Sequence, residues 1–543
     1  MLILPGGSEP VVYEISRSLR FNSADSAYLN RTFSSPTDNK KWVWSGWFKR
    51  GRLGTYQVIF GAGNDSNTVY AYAGFDASDR LDFFSFNTVA TFRLTSSAAY
   101  RDPTAWYHIV FICDTANSTA ANRAQVWVNG TRVTAFATET LPSLNAAVLF
   151  NDPAQEQTIG LDKTEIYNTF LDGYLTEVYF IDGQALTPSS FGATTTTTGA
   201  WDPKTYTGTY GTNGFYLNFA DNTNTTAATL GADDSGNGNN WTPNNFSVTA
   251  GVGNDSLVDT PTNYGSDTGV GGGVRGNYCV LNSLANPAWA ASPTLSNGNL
   301  DCSQTLTQVG VGSFAMSSGK WSFEWVCNSG INGIPQIGIS NAPLGTITTN
   351  GPGQSANAWV YVSNGTKSNN SSFAGYGASY TTGDIVGVTF DASTGELTFY
   401  KNGLSQGSAF TGLTSGPYFP IQGNSGGTPT SGSFNFGQRP FAYTAPSGFR
   451  ALCTKSMSEG SITTSGSFTG NALVDGPMVW LNGTPTTMTI NSNPVTFGTD
   501  ADRLAGGFKV RTSSSSYNTS GSNTYSVSAT GSKFKYARAQ ANS

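Results

Sequence analysis

The chain has 543 residues and a formal net charge of −6; 11% of its residues are charged and 13% aromatic. An average soluble domain is about 25% charged, so this composition excludes extensive helical surface, and the mildly acidic balance excludes a basic nucleic-acid face. The many Trp, Tyr and Phe bury enough apolar surface to exclude a disordered chain despite 64 glycines.

In chain order, residues 1–15 carry Pro5-Gly6-Gly7 and read as an extended arm. Met1-Leu2-Ile3-Leu4-Pro5 has neither the charged start nor the long apolar core of a signal peptide. Period-2 alternation begins at Ser18-Leu19-Arg20-Phe21 and recurs at Val43-Trp44-Ser45-Gly46-Trp47-Phe48 and Ala124-Gln125-Val126-Trp127-Val128, which predicts strands. Trp106-Tyr107-His108-Ile109-Val110-Phe111 is another strand-like run and holds the single histidine. A zinc site with two His ligands cannot form, and a Ser-His-Asp triad would need His108 itself, which reads as structural. In the predicted strand Thr176–Gly183 the nearest acid pair is Glu177 and Asp182. Their odd spacing places them on opposite faces, whereas a glycosidase needs two carboxylates flanking one bond.

Ala193-Thr194-Thr195-Thr196-Thr197-Thr198-Gly199 reads as a linker or long loop, and a Gly/Asn/Asp-rich stretch follows to about residue 300. Within it, Gly214-Phe215-Tyr216-Leu217-Asn218-Phe219 alternates as a strand does. Asp233-Asp234-Ser235-Gly236-Asn237 superficially resembles a calcium loop but lacks its terminal Glu. Asn64-Asp65, Asp76, Asp79, Asp162 and Asp172 sit at turn positions that Asp and Asn favour for their own hydrogen bonds, so no metal is predicted. Strand patterning resumes near Gly319, runs to about Phe449, and gives way to a Ser/Thr-rich region over 457–543.

One hairpin signal recurs, at Asn129-Gly130, Asn402-Gly403 and Asn482-Gly483, each after an aromatic strand; Asn-Gly supplies the two positive-φ residues of a type I′ turn. Cys113, Cys279, Cys302, Cys327 and Cys453 are odd in number and lack any CxxC, so neither a disulfide framework nor a metal knuckle is predicted. No apolar run approaches the length of a membrane span. Candidate ligand contacts are Trp359, Tyr361, Phe373, Tyr376 and Tyr380, which surround the polar stretch Ser363–Asn370. Aromatics in strands are more often core than platform.

Residues from about 18 to 190 resemble the laminin G-like, concanavalin A-type jelly roll. The carriers are Leu19-Arg20-Phe21-Asn22, Trp44-Ser45-Gly46-Trp47-Phe48, Trp106–Val110, Gln125–Gly130 and Phe170–Val178. Residues from about 316 to 450 resemble a SPRY domain, carried by Gly319–Trp325, Ile337-Gly338-Ile339-Ser340, Gly383–Val388, Gly395–Gly403, Pro417–Pro420 and Phe434–Gly437. The SPRY resemblance implies an interaction module without catalytic residues. The pairing, with the phrases Gly236–Phe246 and Asn254–Pro261 between the modules, resembles bacteriophage tail fibres and other exposed virion proteins.

The expected fold is therefore multidomain and all-β. An attachment arm (1–15) precedes a laminin G-like jelly roll (16–195), a connecting region (196–310), a SPRY-like sandwich (311–455) and a small C-terminal β domain (456–543). The resemblance implies a virion protein assembled in the host cytoplasm, a tail fibre or similar appendage that binds a host surface glycan or protein. It implies contact with other virion proteins through the arm and a homo-oligomer, by analogy a trimer. No catalytic residue, cofactor, nucleic acid or membrane insertion is expected. The alternatives are a capsid or tail decoration or connector protein and, behind it, a polysaccharide-degrading enzyme.

Overall fold

A computed structural model describes residues 13–457, except 164–168, 196–198, 286–291, 306–307, 331–332 and 342–350; beyond residue 457 it describes the backbone of strands. Residues 1–193 and 203–456 form one compact unit, and 194–202 with 457–543 form another. Residues 1–12 of the expected attachment arm lie outside the described residues.

The chain is nearly all β, as expected. In the first sandwich one sheet runs, by neighbour, Thr131–Arg132, Ala124–Val128, Trp106–Asp114, Lys41–Arg50, Gly173–Asp182, Ser18–Phe21 and Ser256–Leu257. The facing sheet runs Phe136–Thr140, Val89–Ala99, Arg80–Asn87, Val69–Phe75, Gln57–Gly63, Glu156–Ile159, Tyr28–Thr32 and Thr242–Asn244. The alternating side chains of the two sheets meet in an aromatic core. Trp42 lies against Phe83 at 5.8 Å and Phe150 at 5.1 Å, and Phe83 against Phe111 at 5.1 Å, in tilted or edge geometries. Each such side chain, fully buried, stabilises the fold by about 1.5–3 kcal/mol.

The second sandwich pairs Lys320–Ser329 with Ile385–Asp391 on one side and Thr430–Asn435 on the other. Glu396–Lys401 and Leu404–Phe410 extend that sheet to its edge. Its other sheet runs Gly310–Val311, Phe419–Asn424, Pro335–Ser340, Ala358–Val362, Thr366–Asn369 and Ser372–Gly375. In the second unit, Ser522–Ala529 pairs antiparallel with both Ile462–Thr469 and Pro485–Ile490.

Two Asn-Gly hairpins form as predicted, with φ of 48° and 75° at Asn129 and Gly130 and of 48° and 79° at Asn402 and Gly403. Each Asn also clasps the neighbouring strand. His108 N donates to Asn129 Oδ1 at 2.8 Å, and Ile385 N donates to Asn402 Oδ1 at 2.9 Å. The third expected hairpin is not formed: Pro477–Asn482 pairs with Lys533–Ala539 and Pro485–Ile490 with Ser522–Ala529 instead of with each other, and Gly483 itself lies outside the described residues.

The Gly/Asn-rich region is threaded into both sandwiches. Phe215–Leu217, Thr242–Asn244 and Ser256–Leu257 add to the two sheets of the first, and Thr294–Ser296 with Asp301–Gln304 edge a sheet of the second. Trp241 is fully buried in the first core, 4.9 Å from Phe215 and 6.1 Å from Phe33, and Phe246 meets Phe21 edge-on at 5.1 Å.

Candidate functional site

The five candidate aromatics divide by burial. Tyr361 and Tyr380 are core residues, 0% and 4% exposed, and this corrects the expectation of an exposed platform at those two positions. Tyr361 faces the space between the sheets, 5.4 Å from Phe399 of the opposite sheet and 5.1 Å from Tyr380. The Tyr380 hydroxyl donates to the carbonyls of Pro335 at 2.8 Å and Tyr361 at 3.0 Å, tying the strand end to its neighbour. Trp359 is half-buried and lies apart from them, edge-on to Tyr418 at 5.6 Å. Tyr376 is half-buried, packs edge-on to Tyr361 at 5.2 Å, and donates to Gly407 O of the sheet-edge strand. Burial pushes the Tyr361 and Tyr376 hydroxyls up to about 12, so both remain protonated donors. Phe373 is exposed, on the edge strand Ser372–Gly375. Lys367 Nζ stands 5.7 Å from the Tyr376 ring centroid and 5.2 Å from that of Phe410. The surface of this end is thus Phe373, part of Tyr376 and a lysine, on a floor of buried tyrosines.

The sequence reading missed the joint between the sandwiches. Lys49, fully buried on the strand Lys41–Arg50, pairs with Asp259 at 2.8 Å. The same ammonium donates to Asn277 Oδ1 and Tyr278 O, each at 2.8 Å. Trp106 Nε1 and Tyr278 N both donate to Asp259 Oδ1 at 3.2 Å, so with Lys49 the carboxylate accepts three bonds. A second buried pair, Arg20–Asp255 at 3.0 Å, sits where Ser256–Leu257 pairs with Ser18–Leu19. Burial raises both aspartates while the cation beside each opposes that rise. Direct bonds complete the joint. Tyr174 donates to Gly298 O at 2.6 Å, Gly298 N to Asp172 Oδ1 at 3.2 Å, and Asn299 Nδ2 to Gly51 O at 3.2 Å. On the far side, Val258 N donates to Gln438 O at 3.0 Å and Cys279 N to Leu452 O at 2.9 Å. The one available signal was the phrase Asn254–Pro261, whose Asp255 and Asp259 make the two pairs.

The remaining titratable candidates have structural partners. Glu177 sits at a bulge with φ 54°, where the register shifts between Thr176 and Tyr179. Tyr13 donates to its carboxylate at 2.6 Å, Tyr216 at 2.8 Å and Tyr179 at 3.0 Å. Burial raises Glu177 to about 6 against the pull of those hydroxyls. Asp182 instead receives Thr37 N at 2.7 Å, Asn151 Nδ2 at 2.8 Å and Asn213 N at 3.1 Å, so the two acids share no partner. Asp76 accepts Ser78 N and Arg80 N, both at 2.9 Å, and Asp233 accepts Tyr216 N at 2.8 Å and Ser235 N at 2.9 Å. Among the described residues no cluster of three or more His, Cys, Asp or Glu is placed to hold a metal ion. His108 is buried, stacks on Trp47 at 5.1 Å and lies 2.8 Å from Ser45 Oγ; burial lowers its pKa to about 3. All five cysteines are free and buried.

Comparison with known proteins finds two modules. Residues 22–191 match the concanavalin A-like lectin/glucanases superfamily, and residues 320–439 match the SPRY domain. The chain is 32% identical over 138 residues to an E3 ubiquitin-protein ligase RKP of Arabidopsis thaliana, covering 25% of this chain and 10% of that protein. It is 32% identical over 114 residues to protein ssh4 of Sclerotinia sclerotiorum, covering 21% of each. The matches therefore span a small part of these curated relatives. Among solved structures, the SPRY domain of human HERC1 is similar at 19% identity and a TM-score of 0.24, covering 27% of this chain and 95% of that one. A heptameric SAP-like pentraxin from Limulus polyphemus is similar at 14% identity and a TM-score of 0.24, covering 32% of this chain and 80% of that one.

Proposed function

We propose that the chain is a non-catalytic structural protein of a bacteriophage particle, a tail fibre or similar exposed appendage that binds the host cell surface. One observation carries the reading: two concanavalin-type sandwiches lie in one compact unit, with the first tied by buried ion pairs to the connecting segment, which in turn bonds to the second through Val258 N and Cys279 N. A fixed joint presents two binding modules in one orientation, which lets several weak contacts act together. The phrases that resemble the joint of such virion proteins supply Trp241, Phe246, Asp255 and Asp259, all used in that joint or in the core beside it. The SPRY match supports a protein- or glycan-contacting module, with Phe373 and Tyr376 as its accessible aromatics. In this reading other virion proteins hold the arm, and the chain works as a homo-oligomer, by analogy a trimer. The burial of Tyr361 and Tyr380 favours a second reading, a capsid or tail connector that makes no host contact.

Two experiments test the proposal. Antibody to the chain should label an exposed appendage on phage particles released from cells that carry its gene. Purified chain should then slow adsorption of those particles in a dose-dependent way. Labelled particles without adsorption block would favour the connector reading. Absence from particles, or release of reducing ends from host polysaccharide, would overturn the proposal.

A further inference from the structure

Lys49, Asp259 and Asn277 form a triad that an ion pair alone does not require. Lys49 is the only buried lysine among the described residues, and its nitrogen lies 2.8 Å from Asp259 Oδ2 and 2.8 Å from Asn277 Oδ1. Lys49 comes from the strand Lys41–Arg50 of the first sandwich. The other two come from stretches of the connecting region that meet where Thr260 N donates to Gly276 O at 2.9 Å. The side-chain amide is held in one orientation: Asn277 Nδ2 donates to Thr104 O at 2.5 Å, which turns Oδ1 to the lysine. The lysine nitrogen therefore stands beside the amide carbon, and such prior positioning of two reacting groups removes much of a barrier.

The surroundings suit a neutral amine. Trp106, Tyr174 and Tyr278 are buried around the triad, with Lys49 Nζ 5.6 Å from the Tyr174 ring centroid. Burial disfavours both charged forms of the pair, so moving a proton from ammonium to carboxylate costs less here than in water. Burial already raises Asp259. Trp106 Nε1 and Tyr278 N occupy Asp259 Oδ1, which leaves Oδ2 to the lysine. A desolvated lysine beside a base is an activated nucleophile. The neighbouring pair Arg20–Asp255 lacks this chemistry, because a guanidinium stays protonated. Asn277 is half-buried, so a small group leaving it starts next to solvent.

We infer that Lys49 and Asn277 become joined by an amide bond, with Asp259 carrying the protons; the ion pair is the state before the bond forms. Asp259 Oδ2 takes a proton from the ammonium, and the freed lone pair attacks Asn277 Cγ, pushing the carbonyl electrons onto Oδ1. Asp259 gives its proton to Nδ2 and takes a second from Nζ. The carbonyl re-forms as the Cγ–Nδ2 bond breaks, and ammonia leaves. Asp259 ends as the neutral acid, the form that a buried carboxyl without a cation prefers. The step consumes no oxidant, reductant or cofactor. Its product ties the first sandwich covalently to the connecting region, and it does not rest on the particle setting proposed above.

Mass spectrometry of the full chain, folded and then denatured, should give a mass below that of the sequence by one ammonia. A tryptic digest should contain residues 42–50 joined to 276–320 as one branched peptide, uncut after Lys49. Fragmentation of that peptide distinguishes the bond from ammonia lost by ring closure at an Asn-Gly step. Lys49→Arg and Asn277→Ala should each keep the full mass of their sequence and yield no branched peptide. Asp259→Asn should lower the linked fraction by about tenfold or more at equal times after synthesis, as loss of a proton carrier does. Recovery of the two peptides unjoined from the folded, unaltered chain would overturn the inference. Undiminished linkage in Asp259→Asn would overturn the part given to Asp259.

Discussion

The interior of the first sandwich and the joint beside it are both buried, yet they are built from opposite materials. The interior is aromatic, with Trp42, Phe83, Phe111 and Phe150 in mutual contact. The joint is ionic, with Lys49–Asp259 and Arg20–Asp255 each nearly removed from water. Apolar packing is non-directional and tolerates many arrangements of similar area. A buried ion pair adds little net stability, because desolvation offsets most of the attraction, but its geometry must be met. On this comparison the core supplies the folding energy, and the joint fixes how the second sandwich is set against the first.

That contrast breaks most readily at Lys49. Lys49→Met leaves Asp259 buried without its cation, and the expected loss is roughly 3–5 kcal/mol in chemical denaturation. The loss should shrink on acidification. Burial already raises Asp259, so protonation relieves the uncompensated charge, and the deficit returns as pH rises. The double variant Lys49→Met/Asp259→Leu should recover most of the stability. Trp241→Ala, a change in the Gly/Asn-rich region, should cost about 3 kcal/mol or more, as a core tryptophan does.

Glu177 sharpens the comparison through pH. Its folded pKa, raised to about 6 from 4.5, makes its contribution fullest below pH 4.5 and lost as pH rises through 6. A shift of that size corresponds to roughly 2 kcal/mol. Glu177→Gln should therefore flatten the melting temperature profile between pH 4.5 and 7. The hairpin clasps come next: Asn402→Ala and Asn129→Ala should each cost about 1–2 kcal/mol, since both residues hold a positive φ and accept a neighbouring amide. Phe373→Ala, at an exposed edge, should stay within about 0.5 kcal/mol while weakening any surface contact made there.

Much of this was legible in sequence, for identifiable reasons. Strands with one buried face alternate, and Asn-Gly turns declare their geometry, so both sandwiches and two hairpins were readable from residues such as Trp44, Asn129 and Asn402. The joint was not. Asp255 and Asp259 lie among glycines and asparagines with little periodicity, and in such a setting an aspartate reads as a turn residue. Tyr361 was misread because its strand, Ala358–Val362, is buried on both faces: Val360 and Val362 pack in a separate apolar cluster on the side opposite Tyr361. Alternation therefore gave no clue to an exposed side. The opposite-face reading of Glu177 and Asp182 fits their separate partners, but the bulge at Glu177 left no mark in the sequence.

The central claim is that both sandwiches and the region between them form one cooperative body. Hydrogen exchange across a denaturant series, read in peptides covering Trp106–Asp114, Ser256–Leu257 and Lys320–Ser329, tests it most directly. The account predicts coincident midpoints in all three, with Lys49→Met separating the last from the first. Separate midpoints in the unaltered chain, with Ser256–Leu257 exchanging like a free linker, would contradict it.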